Sequence, residues 1–544
     1  MKLIRPITIL LLTCFVTFDI FSQSNAILNY LPEGAKMIIK INPASLGQKI
    51  KWEELLKYKM FQDLMKELPE EGKDFLNNPS QTGIDLGRGF FLVVSGNKNN
   101  KKPVTILYGI PKDTVQFAAM AKKLNSGKQA VKIGNGKLII DNNTALAWNR
   151  EIIILTGNDS KKDSANQTAK EKASAELIKT KQLTEKCKTL LNKRKTTFSN
   201  EQFLSLLKDD GDLLLWIDNT AQAQSKKNNK VPAAFEMLNN SFMRKGNYTS
   251  GIINFEDGKV VAQMKQYISA SLDSAYKKYP LKNINTELLK KLPAGHPIFL
   301  CDFSFSPEMI KENLVKSGAD KLIDSMSKQT AKIEDILPAI KGDVLLALMK
   351  VDEVSEDDSL AKAMNGIELF VSGSINDKGK FKNLAALLQN NKPDSAKNNS
   401  PQKPKLLIFS NDSFFVVSLS QMAGQKFLGS AGNNEAIEKI IEPYKNNPSA
   451  FIIDLRTVFG FAIQSTLKNR SAEDAKQASE VLGMFDKLVS YGGQHENNFV
   501  SSTVELSLIN KDENSLKQFM NLLNLFYSLK PKASMAYNQS LPVQ

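Results

Sequence analysis

The chain has 544 residues, 42% of them hydrophobic, which is more than one ordinary domain needs and enough for several buried cores. Its formal net charge is +15 (72 basic minus 57 acidic residues), and it holds only two histidines, which excludes a histidine-rich metal centre. Such a basic balance selects polyanionic partners, and which polyanions are available depends on the compartment.

The first residues address the compartment. Lys2 and Arg5 precede an apolar run from Ile7 to Phe18 and then the small polar stretch Ser22-Gln23-Ser24-Asn25-Ala26. That order predicts a secretory signal peptide over residues 1–26, cleaved after Ser22, Ser24 or Ala26. The apolar run is shorter than the twenty or so residues that span a bilayer, and no later segment is long and apolar enough to span one. Leu11-Leu12-Thr13-Cys14 resembles a lipidation signal at Cys14, but Thr13 is bulky and the apolar run continues to Phe18, which disfavours it. Losing Lys2, Arg5 and Asp19 leaves a charge of +14 (70 minus 56). Beyond the inner membrane the polyanions are lipid headgroups and surface glycans, so the expected partners are an envelope protein or an anionic envelope surface, and not nucleic acid. The remaining cysteines, Cys187 and Cys301, enter a compartment that permits disulfides, yet Cys301 alternates with Phe299 and Phe303 and reads as a free thiol on a strand.

Past the signal, Met37 to Ile41 reads as a strand, and Trp52, Leu55, Leu56, Phe61, Leu64, Met65 and Leu68 mark one helix that Pro69 stops. Strands follow at Phe90 to Ser95 and Val104 to Tyr108. Asp113 caps a helix reaching Leu124, which completes a βαββα order. A hairpin of Leu138 to Ile140 with Leu146 to Thr156 extends the sheet. Residues 158–199 carry eleven Lys or Arg against five Asp or Glu, with a narrow apolar stripe of Leu183, Cys187, Leu190 and Leu191. This predicts a long surface helix that the fold can do without. The βαββα order restarts at Leu213, at Ile298 and at Ala450, and residues 390–405 read as a loop by composition.

The chain also repeats itself. "LPEGAKMIIKINPASL" at 31–46 returns as "LPAGHPIFLCDFSFSP" from 292. Gly109, Asp113, Phe117, Ala121 and Leu124 align with Gly373, Asp377, Phe381, Ala385 and Leu388 at one offset of 264, and 148–156 aligns with 410–418 at 262. Order is kept, so the expected fold is α+β with antiparallel or mixed sheets and helices packed on one face, built as a tandem duplication of paired βαββα units. The halves are 27–285, carrying the Lys-rich insertion, and 286–530, with 531–544 a flexible tail. The signal peptide, the "LPEGAKMIIKINPASL" stretch and the "GDLLLWIDN" strand behind "FSNEQFLSLL" resemble the exported bacterial family known as domain of unknown function 4836. The resemblance runs over nearly the whole mature chain. It implies a Gram-negative envelope protein, periplasmic or associated with the outer membrane, often lipidated and without an established activity.

Chemical motifs are sparse. His296 and His495 each lack a neighbouring histidine and read as solvated turn residues. The run Gly83 to Gly89 lacks the Lys-Ser/Thr ending and the following helix of a phosphate cradle. Ser274-Ala275-Tyr276-Lys277 fits Ser-x-x-Lys, but its nearest companion, Lys316-Ser317-Gly318, follows too closely for a penicillin-recognising fold. Asp352, Glu353, Glu356, Asp357 and Asp358 crowd one strand connection without EF-hand spacing. Trp52, Trp148 and Trp216 sit in periodic segments and read as core. No catalytic, cofactor or metal residue is assigned. Asp followed by Ser or Thr and a small or aliphatic residue recurs, which offers Thr114, Ser164, Ser274, Ser325, Ser359 and Ser395 as glycan acceptors, with helix capping and turns as the competing explanation. The expected role is non-enzymatic binding or scaffolding. The alternatives are an envelope hydrolase whose site is assembled from scattered carboxylates and serines, and a surface ligand binder using a groove between the halves.

Overall fold

The computed structural model describes residues 25–528 apart from 69, 98–99, 126, 142, 158–168, 195–196, 220–246, 319, 322–335, 352–365, 391–405, 430–433 and 467–478. It is an α+β protein rich in antiparallel strands. Two compact units are present, each drawn from interleaved stretches of chain. The first takes residues up to Asp218, Ser250–Val260 and everything from Lys511; the second takes Asn219–Thr249 and Val261–Asn510.

The first unit runs β1 (Ala35–Ile41), α1 (Pro43–Lys49), α2 (Trp52–Leu55), α3 (Lys59–Glu67), α4 (Glu70–Asn77), β2 (Phe90–Asn97), β3 (Asn100–Gly109) and α5 (Thr114–Leu124). It continues with β4 (Val131–Ile133), β5 (Gly136–Asp141), β6 (Thr144–Trp148), β7 (Ile153–Gly157), α6 (Ala169–Leu191), α7 (Glu201–Leu206) and β8 (Leu213–Asp218). The segment expected as one strand from Leu146 to Thr156 is two, because Asn149 Oδ1 accepts the Glu151 and Ile152 amides and turns the chain. Every pairing is antiparallel, in the order β4-β5-β6-β7-β3-β2-β1-β8. Caps fix the helix starts: Asn42 accepts from Ser45 N with Pro43 in the first turn, and Asp113 accepts from Val115 N and Gln116 N. Gly83 is held at φ 72° with its Cβ position 2.4 Å from the Asp113 carbonyl oxygen, so it shapes a tight turn beneath α5 and cradles nothing.

Phe90, Leu107, Phe117, Trp148, Ile153 and Leu155 form one core of this unit. Trp216 lies in another part of it, edge-on to Phe198 and Phe203. All three tryptophans are buried, as the periodicity predicts. The stripe on α6 is where the sequence reading needs correction. Leu183, Cys187 and Leu191 are fully shut away where α6 packs on β5, β6 and β7, so deleting 158–199 would uncover that face instead of leaving the fold intact. Burial pushes the Cys187 thiol up to about 12. In the native protein at pH 8 Cys187 is therefore expected to resist alkylation, and quantifying modified thiols before and after unfolding checks this.

The connection onward is the hairpin β9 (Tyr248–Glu256) and β10 (Lys259–Tyr267), followed by α8 (Ala270–Lys278) and α9 (Thr286–Lys290). The second unit then runs β11 (Gly295–Ser304), α10 (Pro307–Ser317), β12 (Ile340–Val351), β13 (Ile367–Ile375), α11 (Lys378–Asn390), β14 (Leu407–Ser410), β15 (Phe414–Ser418), α12 (Gln421–Gly429) and α13 (Glu435–Ile441). It ends with β16 (Ser449–Asp454), α14 (Leu455–Thr466), β17 (Phe485–Glu496) and β18 (Phe499–Leu508); α15 (Ser515–Ser528) follows and belongs to the first unit. The strands pair antiparallel in the order β14-β15-β13-β12-β11-β16-β17-β18. The main core lies on one face, where Leu300, Leu345, Ala347, Phe370 and Ile452 meet Leu288 and Leu289 of α9, Phe427 of α12 and Ile437 of α13.

Candidate functional site

The apolar face of the second unit has one polar corner. Along β11 the alternation that buries Leu300 continues to Asp302, which is also completely buried, and then to Ser304. Antiparallel register sets Asp302 opposite Leu345 and Ser304 opposite Asp343. Asp343 is thus one diagonal step from Asp302 on the neighbouring strand. Its Oδ2 accepts from Asn285 Nδ2 at 2.5 Å and from Ser374 Oγ at 2.6 Å, while Oδ1 takes the Ser374 amide at 3.3 Å. Asn285 is held in place because its own Oδ1 caps α9 through the Glu287 amide. Ser304 Oγ donates to the Asn283 carbonyl at 3.0 Å.

Neither carboxyl oxygen of Asp302 makes a hydrogen bond of good geometry, the Asn285 backbone N–H being the donor that faces it. Desolvation, helped by the negative charge of Asp343, pushes this carboxyl up to about 8, against a smaller opposing influence from the Asn285 backbone N–H. At neutral pH Asp302 is therefore a neutral acid beside a hydrogen-bonded Asp343. Two carboxyl groups with an asparagine and a serine are a set that can donate and accept a proton. The sequence reading missed it, although an aspartate on the core-facing side of an alternating strand was a visible signal.

Neither histidine is a simple solvated turn residue. His296 is the second residue of β11, and its Nε2 lies 2.5 Å from Asp454 Oδ2, which also accepts from Thr457 Oγ1 at 2.7 Å. His495, on β17, is largely buried; its Nε2 lies 2.9 Å from Asp273 Oδ1, and its ring stacks on Tyr276 at 5.1 Å. Asp273 also pairs with Lys277 at 2.7 Å, and these two partners hold its carboxyl below the usual range. Both carboxyl oxygens of Asp273 are thus engaged beside Ser274, which is exposed on α8. Cys301 is a free, half-buried thiol.

Thr114 opens α5 directly after its cap, whose Asp113 Oδ1 accepts at 2.7 Å and 3.0 Å. Asp113→Ala is expected to cost about 1 kcal/mol in urea unfolding, as for other lost N-caps. Cys14, Ser164, Ser325, Ser359 and Ser395, the acidic run at 352–358 and the tail 531–544 lie outside the described residues. Among the described residues no three His, Cys, Asp or Glu side chains gather as metal ligands would, and no helix is long and apolar enough to cross a membrane.

No curated protein matches the chain. Among solved structures, crystal form I of TP0453 aligns over 45% of this chain and 78% of its own length, at 11% identity and a TM-score of 0.24. Crystal form IV of TP0453 aligns over 44% and 79%, with the same identity and score. The model of the family described as a domain of unknown function (DUF4836) matches residues 27–364, a shorter span than the sequence resemblance suggests, ending before β13. With well over half of its length matched, the chain belongs to the DUF4836 family.

Proposed function

We propose that the protein is an exported component of a Gram-negative cell envelope that acts by binding or scaffolding, and that residues 27–285 and 286–530 are two copies of one ancestral sequence. Strand register supports the duplication. Tyr108 pairs with Ile154 as Ser372 pairs with Val416, displacements of 264 (372 minus 108) and 262 (416 minus 154), the same offsets that align the sequence. Likewise Ile38 faces Trp216, and Leu300 faces Ile452.

The observation that carries the binding reading is what these equivalent positions hold. The apolar frame is common to both: Ile38 and Leu300, Trp216 and Ile452 are all buried. The polar residues are not, since Lys40 stands where the second copy has Asp302, and Tyr108 where it has Ser372. Duplication has preserved an apolar framework and let the polar side chains set into it diverge, so the two copies share no polar set of the kind one common reaction would need, which suits binding or scaffolding. The basic charge adds attraction to anionic envelope surfaces, a contribution that salt screens over about 8 Å at physiological ionic strength.

Crosslinking in intact cells followed by identification of captured proteins tests this reading: specific envelope partners are expected, and recovery of none overturns it. Hydrolysis is the second reading, favoured by the Asp302, Asp343, Asn285 and Ser374 corner. Export itself predicts an N-terminus after Ser22 or Ser24, because cleavage after Ala26 would place a charged amino group on Ile27, which is only 1% exposed. Glycans on Ser164 and Ser395 belong to the same proposal, and the intact mass of the protein from its native envelope decides them.

A further inference from the structure

In chain order each sequence half ends with a helix, α8 for the first and α15 for the second, yet α15 packs in the first unit and α8 in the second. The docking of α15 is specific. Asn514, just before it, bridges to Asp257 in the β9–β10 turn and donates from Nδ2 to the Phe255 carbonyl at 2.9 Å. Gly258 N donates to the Glu513 carbonyl at 2.9 Å. Gly258 sits at φ 64° with its Cβ position 2.6 Å from Lys511 Cα, so the turn admits the incoming chain only because it carries glycine there. Leu516 and Met520 then complete the core formed by Leu46, Ile50, Trp52, Leu55, Phe61 and Leu68, and Lys517 reaches Glu54 at 3.5 Å.

The second unit repeats the arrangement with the other helix. Ile268 N, just before α8, donates to the Asn498 carbonyl in the β17–β18 turn at 3.0 Å. Asp273 and Tyr276 of α8 hold His495 beside that same turn. Tyr279, which follows α8, donates to Glu312 Oε2 of α10 at 2.7 Å, and Lys278 joins the same carboxylate at 2.7 Å. In both units the helix start meets a hairpin tip, and the helix or its end then packs on the helices that follow the unit's first strand.

From these matched contacts we infer that the closing helices are reciprocally exchanged: α15 is the latch that completes a core of the first unit, while α8, none of whose residues is fully buried, is held on the second through His495 and Glu312, so that neither sequence half keeps its own closing helix. This rests on the duplication reading only in assigning each helix to a copy; the docking contacts hold without it. One consequence is that the C-terminal helix controls the order of the N-terminal residues 46–68, although more than four hundred residues separate them in sequence.

Hydrogen exchange of the full mature chain, read by mass spectrometry, tests the latch. Replacing Leu516→Glu and Met520→Glu is expected to speed exchange in 46–68 roughly tenfold or more while β12 and β13 keep their protection. Replacing Tyr276→Ala and His495→Ala is expected to loosen β17, β18 and α8 and leave 46–68 unchanged. Unchanged exchange in 46–68 after the first pair of substitutions overturns the latch. Should those variants fail to accumulate, the wild-type chain carrying a protease site after the exposed Lys282 is cut while folded. Two pieces that remain one particle in size exclusion support the exchange, and two separately folded pieces overturn it. Halves that do not superpose would defeat the duplication and leave this outcome untouched.

Discussion

Replacing Asp302 with asparagine is expected to stabilise the second unit increasingly as pH rises from 5 to 9. The buried carboxyl titrates at about 8 in the folded protein, far above its ordinary 3.8. A raised folded value means that the native state holds a proton which the unfolded chain has lost. The stability this contributes is fully present below about pH 4 and is lost as pH rises through about 8. Four units at about 1.4 kcal/mol each set an upper limit of roughly 6 kcal/mol on the change. Asparagine does not ionise, so the difference between variant and wild type should grow by several kcal/mol across that range, even if the unpaired amide costs about 1–3 kcal/mol at every pH.

The groups facing Asp302 are the carboxylate of Asp343, held by Asn285 and Ser374, and the Asn285 backbone N–H. Among the described residues neither carboxyl has a lysine, arginine or histidine within ion-pair distance. Asp343→Asn should accordingly make the loss of stability smaller and end it at a lower pH, by removing the charge that repels an ionised Asp302 and so bringing its folded value closer to the unfolded one. Denaturant unfolding at a series of pH values measures both, and a variant offset that does not change with pH would show that Asp302 is not the titrating group.

The second large effect is expected at Asp212. This fully buried carboxylate, at the start of β8, takes the Ser45 hydroxyl at 2.5 Å on Oδ1, and the Phe255 amide at 2.6 Å together with the Lys49 ammonium on Oδ2. Its own amide donates to Asn254 Oδ1 at 3.3 Å, and its carbonyl accepts from Asn42 N at 2.9 Å. One side chain therefore ties α1, β8 and β9 together. Asp212→Ala leaves a partly buried ammonium and a buried amide without partners, and should destabilise the first unit by about 3–5 kcal/mol. Lys49→Met in the same background should recover part of that loss, because the stranded charge is then gone. A double-mutant cycle in urea tests the coupling, and strict additivity of the two substitutions would remove Asp212 from this role.

Much of the framework was legible in the sequence because its signals are local. Alternation over five to ten residues locates β1, β11 and β16. Helical spacing locates a helical stretch between Trp52 and Leu68, although the one helix it predicts is two, Trp52–Leu55 and Lys59–Glu67, and an aspartate before an apolar helix, Asp113, marks an N-terminus. These depend on contacts within a turn or along a strand face, which the spacing of residue types records directly. The same patterns carried the α+β class, and the family came from the resemblance of short stretches such as "LPEGAKMIIKINPASL" and "GDLLLWIDN".

What the sequence by itself determined, then, is the order of the elements, their apolar faces and the membership in one family. The tertiary structure alone decided which elements meet. Asp302, Asp343, Asn285 and Ser374 come from four separate segments, and only the register of β11 on β12 and of β12 on β13 gathers them, since a one-residue slip would turn each side chain to the opposite face. The Lys-rich helix reads as surface because its apolar stripe is narrow, but β5 to β7 present a face that needs covering, and Leu183, Cys187 and Leu191 cover it. The destination of α15 is equally invisible in the chain order. Its apolar side records that it must be buried, but not that Trp52 and Phe61 are what it covers, because hydrophobic attraction has no direction and takes whichever complementary surface the finished backbone brings within reach.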